Sequence, residues 1–472
     1  MSAAPLKRRL AVLAVLALWA GSATLACHAA DAPPQLGDDA NAAPAGLSTS
    51  TPTSAPASAS ASPSTALPGG ELRLRWDARS PGLHGPLAAA HALSPTVAPP
   101  ARDGAVVELL LRHQASVPLA GQGVALSGEL LAWQQRLAGD HTAGVANGGL
   151  RLNELQASAE HGAWGLSAGK KVVAWDVGFG FRPNDVVQQE ARRTLLASPL
   201  EGRPLLQAEH FGADSATALV WVNPQQLNAD ADDSRGATES ALALRHYRHD
   251  GALDVHGFAR WGAHTGASLG AALAWVAGDA WALHGSLRVM QRHDGWAAPP
   301  LAPAALARQN PWQPTTLGAA GQALLGLQWT GEAQQSLLIE AWHDGTAPTA
   351  AEWQAWRTRN AALGNPALGS SPAPAAARAG NLAWQAGVFN NTNLQRDSLF
   401  LRLAWQPERW LLSLDALLHP ADRGHTLTAS LQWQGEHLRL NAALRWIGGP
   451  AEAALAQLPQ RRLGLVAATW AF

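Results

Sequence analysis

Leu427, Ala429, Leu431 and Trp433 alternate with Thr426, Thr428, Ser430, Gln432 and Gln434, and this period of two recurs from Glu71 to the terminal Phe472. A period of two sorts side chains onto the two faces of an extended chain, where helical spacing would mix them. Leu72, Leu74, Trp76 and Ala78 oppose Arg73, Arg75 and Asp77, and Leu253, Val255, Gly257, Ala259 and Trp261 oppose Asp254, His256, Phe258 and Arg260. Late in the chain Leu438, Leu440, Ala442, Leu444 and Trp446 oppose Arg439, Asn441, Ala443 and Arg445. So many strands, each apolar on one face, are accommodated when the sheet closes into a barrel whose apolar side meets lipid. The fold class expected is all-β, a transmembrane antiparallel β-barrel.

The runs number about eighteen, near 71–79, 105–115, 122–135, 149–160, 163–174, 204–211, 215–223, 238–249, 252–262, 265–277, 280–292, 319–331, 334–345, 399–406, 409–419, 424–435, 437–447 and 461–472. Sixteen is the alternative count. Tight turns (His161-Gly162, Gly212-Ala213, Asp250-Gly251, Gly278-Asp279, Gly331-Glu332, Pro407-Glu408, Gly435-Glu436) follow even-numbered strands. Most long connections, among them 80–104, 175–203, 293–318, 346–398 and 448–460, follow odd-numbered ones. That parity predicts short periplasmic turns, long extracellular loops and both termini in the periplasm of a bacterial outer membrane. Trp76, Trp133, Trp175, Trp221, Trp261, Trp342 and Trp446 are expected in one interfacial girdle, and Trp275, Trp329, Trp405, Trp433 and Trp470 in the other.

Lys7-Arg8-Arg9 followed by the apolar run Leu10–Ala20 and small residues predicts a secretory signal over residues 1–29. Cleavage after Ala29 or Ala30 removes Cys27, the only cysteine, and with it any disulfide or thiolate metal site. The rival reading of Cys27 as a lipid acceptor meets Thr24 where such signals usually place leucine. Residues 30–69, rich in Ala, Ser, Thr and Pro, predict a disordered periplasmic linker, because they cannot bury enough apolar area to offset ordering. Residues 70–472 then form the barrel. With 34 basic and 35 acidic residues there is no basic footprint for nucleic acid.

The faces opposite the lipid carry Arg73, Arg75, Asp77, Asp254, His256, Arg260, His284, Arg288, Arg402, Arg439 and Arg445. Long charged chains need water or partners, so these predict a hydrated lumen, with an internal ion-pair network as the alternative. The connection from Lys170 to Arg193 is unusually charged for this chain, with five basic and three acidic residues, a net of +2. Gly178 and Gly180 within it would permit a sharp backbone path. No spacing specifies a metal or cofactor. Gly165-Leu-Ser167-Ala-Gly169 matches the esterase elbow formula but falls inside a strand, so no enzymatic site is expected.

With its alternating strands, sorted loops and terminal aromatic Phe472, the chain resembles Gram-negative outer-membrane barrels and, among them, general porins. The resemblance implies a passive channel for small hydrophilic solutes. It also implies a third long loop folded into the lumen, with Lys170, Lys171, Arg182, Asp185, Glu190, Arg192 and Arg193 as constriction candidates. Further implied are contact with outer-membrane lipid and lipopolysaccharide and recognition of Phe472 by the assembly machinery, with a homo-oligomer left open. Gly169-Lys-Lys through Trp175-Asp176 is similar to a Gly-Arg-Gln...Trp-Gly stretch of alginate-export-type barrels, which keeps export of an exopolysaccharide as the alternative function. An outer-membrane enzyme is the second alternative.

Overall fold

The computed structural model describes residues 69–98, 102–119, 122–137, 147–188, 195–196, 199–224, 239–301, 305–365 and 374–472. The signal and linker expectations lie outside these residues, apart from Gly69. Eighteen antiparallel strands close into one barrel. In chain order they are β1 (Gly69–Pro81), β2 (Gly104–Leu119), β3 (Gln122–Leu137), β4 (Asn147–His161), β5 (Trp164–Lys171), β6 (Arg203–Phe211), β7 (Ser215–Val222), β8 (Ala241–Asp250) and β9 (Leu253–Gly262), then β10 (Gly266–Val276) and β11 (Trp281–Met290). After a small separate hairpin, β12 (His293–Ala297) with β13 (Gln313–Leu317), the wall resumes with β14 (Ala320–Thr330), β15 (Gln335–Asp344), β16 (Asp397–Trp405), β17 (Trp410–His419), β18 (Gly424–Gln434), β19 (Leu438–Gly448) and β20 (Gln460–Ala471).

Each wall strand pairs with its neighbours in sequence, and β20 pairs with β1, so closure satisfies the backbone groups that an edge would expose. All eighteen expected runs coincide with wall strands, with ends that differ by a few residues. Leu74, Trp76, Val255, Trp261, Leu444 and Val466 are exposed on the outer face, as lipid contact requires. The tight turns follow even-numbered wall strands, and Gly162 and Gly251 adopt the left-handed conformation there, at φ of 58° and 62°.

Three expected girdle tryptophans are not on the outside. Trp342 shares the inner face of β15 with Glu340 and is 7% exposed, and Trp175 leaves the wall and is buried. Trp133 pairs directly with Glu108, whose carboxylate meets the inward Arg73, so it shares the inner face. Height along a strand does not fix the face; parity does.

The long connections also hold helices that the strand reading did not contain: α1 (Gly85–Leu93), α2 (Ala350–Gly364) and α3 (Ala375–Trp384). Thr349 and Glu352 form a reciprocal capping box that starts α2. Trp353 and Trp356 of α2 pack with Trp312, Val388, Leu394 and Leu455, so three long connections share one core at the same end of the barrel.

Candidate constriction and lumen

The connection between β5 and β6, residues 172–202, is the third long loop, and its described residues 173–187 and 195–196 pack on the inner wall. Its first limb is apolar where it meets the wall: Val173, Trp175, Val186 and Val187 pack on the inward Leu205, Val220, Ala243, Phe258 and Ala272 of β6 to β10. Burying side chains of this size stabilises the packed loop by roughly 1.5–3 kcal/mol each. Leu195 and Leu196, further along, pack on Ala443, Leu465 and Ala467 of β19 and β20. The loop therefore touches well-separated sectors of the inner wall.

Two aspartates, the buried Asp185 and the half-buried Asp176, shape the limb from within. Asp185 Oδ1 accepts from the Trp175 and Asp176 backbone N–H groups at 2.9 and 3.0 Å. Asp176 accepts from the N–H of Val177 and of Asn184 and from the hydroxyl of Ser286 on β11. Burial holds both carboxyls above the usual carboxylate value, opposed for Asp176 chiefly by the Asn184 N–H and for Asp185 chiefly by the Arg182 guanidinium.

Asn184 fastens the limb to the wall, donating Nδ2 to Ser286 Oγ at 2.8 Å and to the Leu287 and Ala271 carbonyls. That approach requires glycine opposite it: a Cβ on Gly270 would sit 1.8 Å from Asn184 Oδ1. Arg288 donates to the Pro183 carbonyl and to Ser268 Oγ. The tip, Gly178-Phe179-Gly180-Phe181, lies farther across. Glu340 accepts from Phe179 N at 2.7 Å and Gly180 N at 2.6 Å, Phe181 stacks on Trp342, and Phe179 stacks on Phe400 with the Arg402 guanidinium 5.0 Å above its ring. Neither Gly178 nor Gly180 is left-handed. Space is what they supply, since a Cβ on Gly178 would lie 1.9 Å from the Phe181 carbonyl oxygen.

The other constriction candidates are placed unequally. Lys170 and Lys171 sit at the root of the loop, Lys170 paired with Glu201 and Lys171 donating to Gln207 Oε1 at 3.1 Å. Arg182 donates Nε to the Gly178 carbonyl and lies 3.7 Å from Asp185, with 28% of its side chain exposed. Glu190, Arg192 and Arg193 lie outside the described residues.

The expected lumen charges all share the inner face, and partners surround them. Asp77 is shared by Arg75 at 3.2 Å and Arg79 at 3.3 Å, and Glu71 by Arg112 at 3.0 Å and Arg439 at 3.5 Å. Arg402, Asp415, Thr428 and Arg445 form one row across β16 to β19, so a single carboxylate again stands between two guanidiniums. Arg73 meets Glu108, Arg260 meets Glu239, and Asp254 accepts from Tyr247 Oη and pairs with His249. Arg112 faces inward, bridges Glu71 and Glu129, and keeps 43% of its side chain exposed. The ion-pair network that the sequence offered as the alternative to a hydrated lumen is present on the inner face.

Glu340, Asn184 and Ser286 were not among the sequence candidates. Glu340 carried a signal: it is an inward carboxylate in the otherwise apolar run Leu337-Leu338-Ile339-Glu340-Ala341-Trp342. Among the described residues no group of His, Cys, Asp or Glu has the arrangement of a metal site.

No family model matches the sequence. No curated protein matches it either. Among solved structures, the chain is similar to Pseudomonas aeruginosa OccK5 (OpdH), at 10% identity over 86% of this chain and 97% of that one, with a TM-score of 0.49. It is similar also to OccK11 (OpdR) of the same organism, at 11% identity over 86% and 95%, TM-score 0.47, and to a mutant of the Rh. blastica porin, at 9% identity over 86% and 99%, TM-score 0.40. The fold is a porin-like β-barrel. That statement stands on the closed eighteen-strand wall and its infolded loop.

Proposed function

We propose that the protein is an outer-membrane channel for passive passage of small hydrophilic solutes, with the infolded loop 172–202 as its constriction. The observation that carries this reading is the loop itself. A barrel of this strand number is wide enough for an aqueous path, and a segment fixed across the lumen narrows that path without requiring a moving part. The inner wall supports a preference for anions, because guanidiniums flank Asp77 and Asp415 two to one, while Arg112 and Arg439 are balanced by Glu71 and Glu129, and a low-dielectric passage magnifies such a bias.

Constriction roles for Lys170, Lys171, Arg182, Asp185, Glu190, Arg192 and Arg193 belong to the same proposal, as do a cleaved signal, periplasmic termini, lipopolysaccharide contact, assembly through Phe472 and a homo-oligomer. The loop parity supports the orientation: tags in 293–318 or 346–398 are expected to be accessible on intact cells and tags at Asp250-Gly251 or Gly435-Glu436 inaccessible.

Planar-bilayer recording of the refolded chain tests the function, with reversal potentials in a salt gradient and a polymer-exclusion series. A steady ohmic conductance blocked by small polymers is expected. A barrel that inserts and passes no ions would overturn the reading.

A further inference from the structure

Three inward positions lie side by side on neighbouring strands: His284 on β11 is opposite Gly326 on β14, and Gly326 is opposite Glu340 on β15. We propose that this transverse row fixes the tip of the infolded loop, which makes Glu340 the positioning residue of the constriction; the inference rests on the channel reading above for its functional meaning.

The middle position explains why the row works. A Cβ on Gly326 would lie 2.0 Å from His284 Nε2, so the imidazole lies across the glycine and reaches the third strand. There its Nε2 is 2.8 Å from Glu340 Oε1. The same carboxylate accepts from Phe179 N and Gly180 N, so three donors converge on a side chain with no exposed surface. An ionised carboxylate is acceptor-only, with room for about four donors, and is the one side-chain group that satisfies two adjacent backbone N–H groups and an imidazole together.

The limb and the tip are held at different sectors of the wall, and the tip adds a buried carboxylate to its stacking on Trp342 and Phe400. Val173, Trp175, Val186 and Val187 keep the limb on β6 to β10 by apolar packing, and Asn184 ties it to β10 and β11. The tip is what meets Glu340 of the His284–Gly326–Glu340 row among the described loop residues. Removing the carboxylate leaves the limb in place and strands two backbone donors against carbon, so the tip has reason to leave the wall. A pure wall ion pair between His284 and Glu340 would instead affect barrel stability alone.

The test compares the full refolded chain with its Glu340→Ala, Glu340→Gln and Gly326→Ala variants in planar bilayers. Hydrogen exchange of the Phe179 and Gly180 amides is measured alongside. Glu340→Ala should replace a steady current by transitions among discrete levels, shift the reversal potential and lose protection at both amides. Gly326→Ala, which leaves the carboxylate intact and displaces the imidazole, should do the same more weakly. Glu340→Gln, which keeps one acceptor oxygen, should fall between Glu340→Ala and the unsubstituted chain. If the variants that assemble keep unsubstituted current, reversal potential and amide protection, the row is a wall contact only and the inference fails; should Glu340→Ala not assemble, the other two decide by the same criteria. A chain that conducts no ions in any form overturns the channel reading instead, and amide protection then still decides whether the row holds the tip.

Discussion

Phe472 N donates to the Gly70 carbonyl at 3.0 Å and Gly70 N donates to the Phe472 carbonyl at 2.9 Å, so the last residue of the chain zips to the second residue of its first strand. Closure thus depends on the final residue through its backbone as well as its ring. Deleting Phe472 removes both bonds and the ring; Phe472→Asp keeps the backbone pair and puts a carboxylate in place of the ring. Deletion is therefore expected to lower the yield of heat-modifiable barrel further than Phe472→Asp, and both below the unsubstituted chain. Equal, normal membrane levels for both variants, scored by electrophoresis with and without heating, would sink the idea that closure limits assembly.

At the long-loop end, Glu239 is buried beneath Arg260 at 2.7 Å and also accepts from the backbone N–H groups of His264 and Thr265. Burial alone would raise its carboxyl; Arg260 and the hydrogen bonds outweigh burial and hold it below the ordinary value. A carboxyl depressed in the folded state contributes stability above its unfolded value and loses it as pH falls through the folded one. Glu239→Ala should cost about 3–5 kcal/mol, because a buried guanidinium loses its counter-charge. Denaturant unfolding in detergent at neutral pH measures the loss, which should shrink at strongly acid pH.

The helical core of the loops is expected to melt separately from the wall. Trp353 Nε1 donates to the Leu394 carbonyl and Trp356 Nε1 to that of Gln385, both at 2.8 Å. Trp353→Ala should cost about 3–5 kcal/mol locally and Thr349→Ala, which removes the cap of α2, about 1 kcal/mol. Limited proteolysis should cut within 345–396 sooner in both variants while the heat-modifiable band persists. Loss of that band would mean that the loops and the wall are one cooperative unit.

The barrel was legible from sequence because many wall strands, such as β18 and β19, repeat the same two-residue pattern, and the parity of turns such as Asp250-Gly251 needs no tertiary information. Trp342 shows where that reading stopped. Sorting tryptophans by height placed it in a lipid-facing girdle, although counting two residues from Glu340 puts both on one face. The loop was legible as an infolded segment through its charge and position, but its wall partners were not: Gly180 and Glu340 are separated by 160 residues. No local pattern encodes such a contact. Helix α2 was missed although Thr349 and Glu352 spell its capping box, because its 15 residues lie in a connection read only as a loop between strands.

Acid should tighten the loop rather than release it. Asp176 and Asp185 are raised by burial in the packed loop, so each binds its proton more tightly there than when released. The packed state accordingly gains on the released one as pH falls toward the ordinary carboxylate value and loses that advantage as pH rises through the raised one. Protonation also removes negative charge beside the lumen. Single-channel recordings are expected to show no acid-induced opening at the loop and a stronger anion preference at pH near 4 than at 7. A fall in anion preference on acidification would contradict both parts.

The exposed charges of the loop are expected to set its ion selectivity. From Lys170 to Arg193 the net charge is +2, but Asp185 is buried within the limb, Asp176 is hydrogen-bonded there, and Lys170 and Lys171 are engaged at its root. Arg182 is the part-exposed cation that the described segment offers near the tip. Replacing Arg182, Arg192 and Arg193 together by Ala should therefore lower anion selectivity, and Arg182→Ala alone should account for a measurable share of the change. Its removal also frees the Gly178 carbonyl, so Arg182→Lys, which keeps the charge and loses the Nε bond, separates charge from geometry. Deleting 178–190 should raise conductance, because it removes the tip and part of the limb. If the triple replacement leaves the reversal potential unchanged and the deletion leaves conductance unchanged in barrels that assemble, the loop braces the wall and the selectivity lies with the arginine rows of β1, β16 and β19.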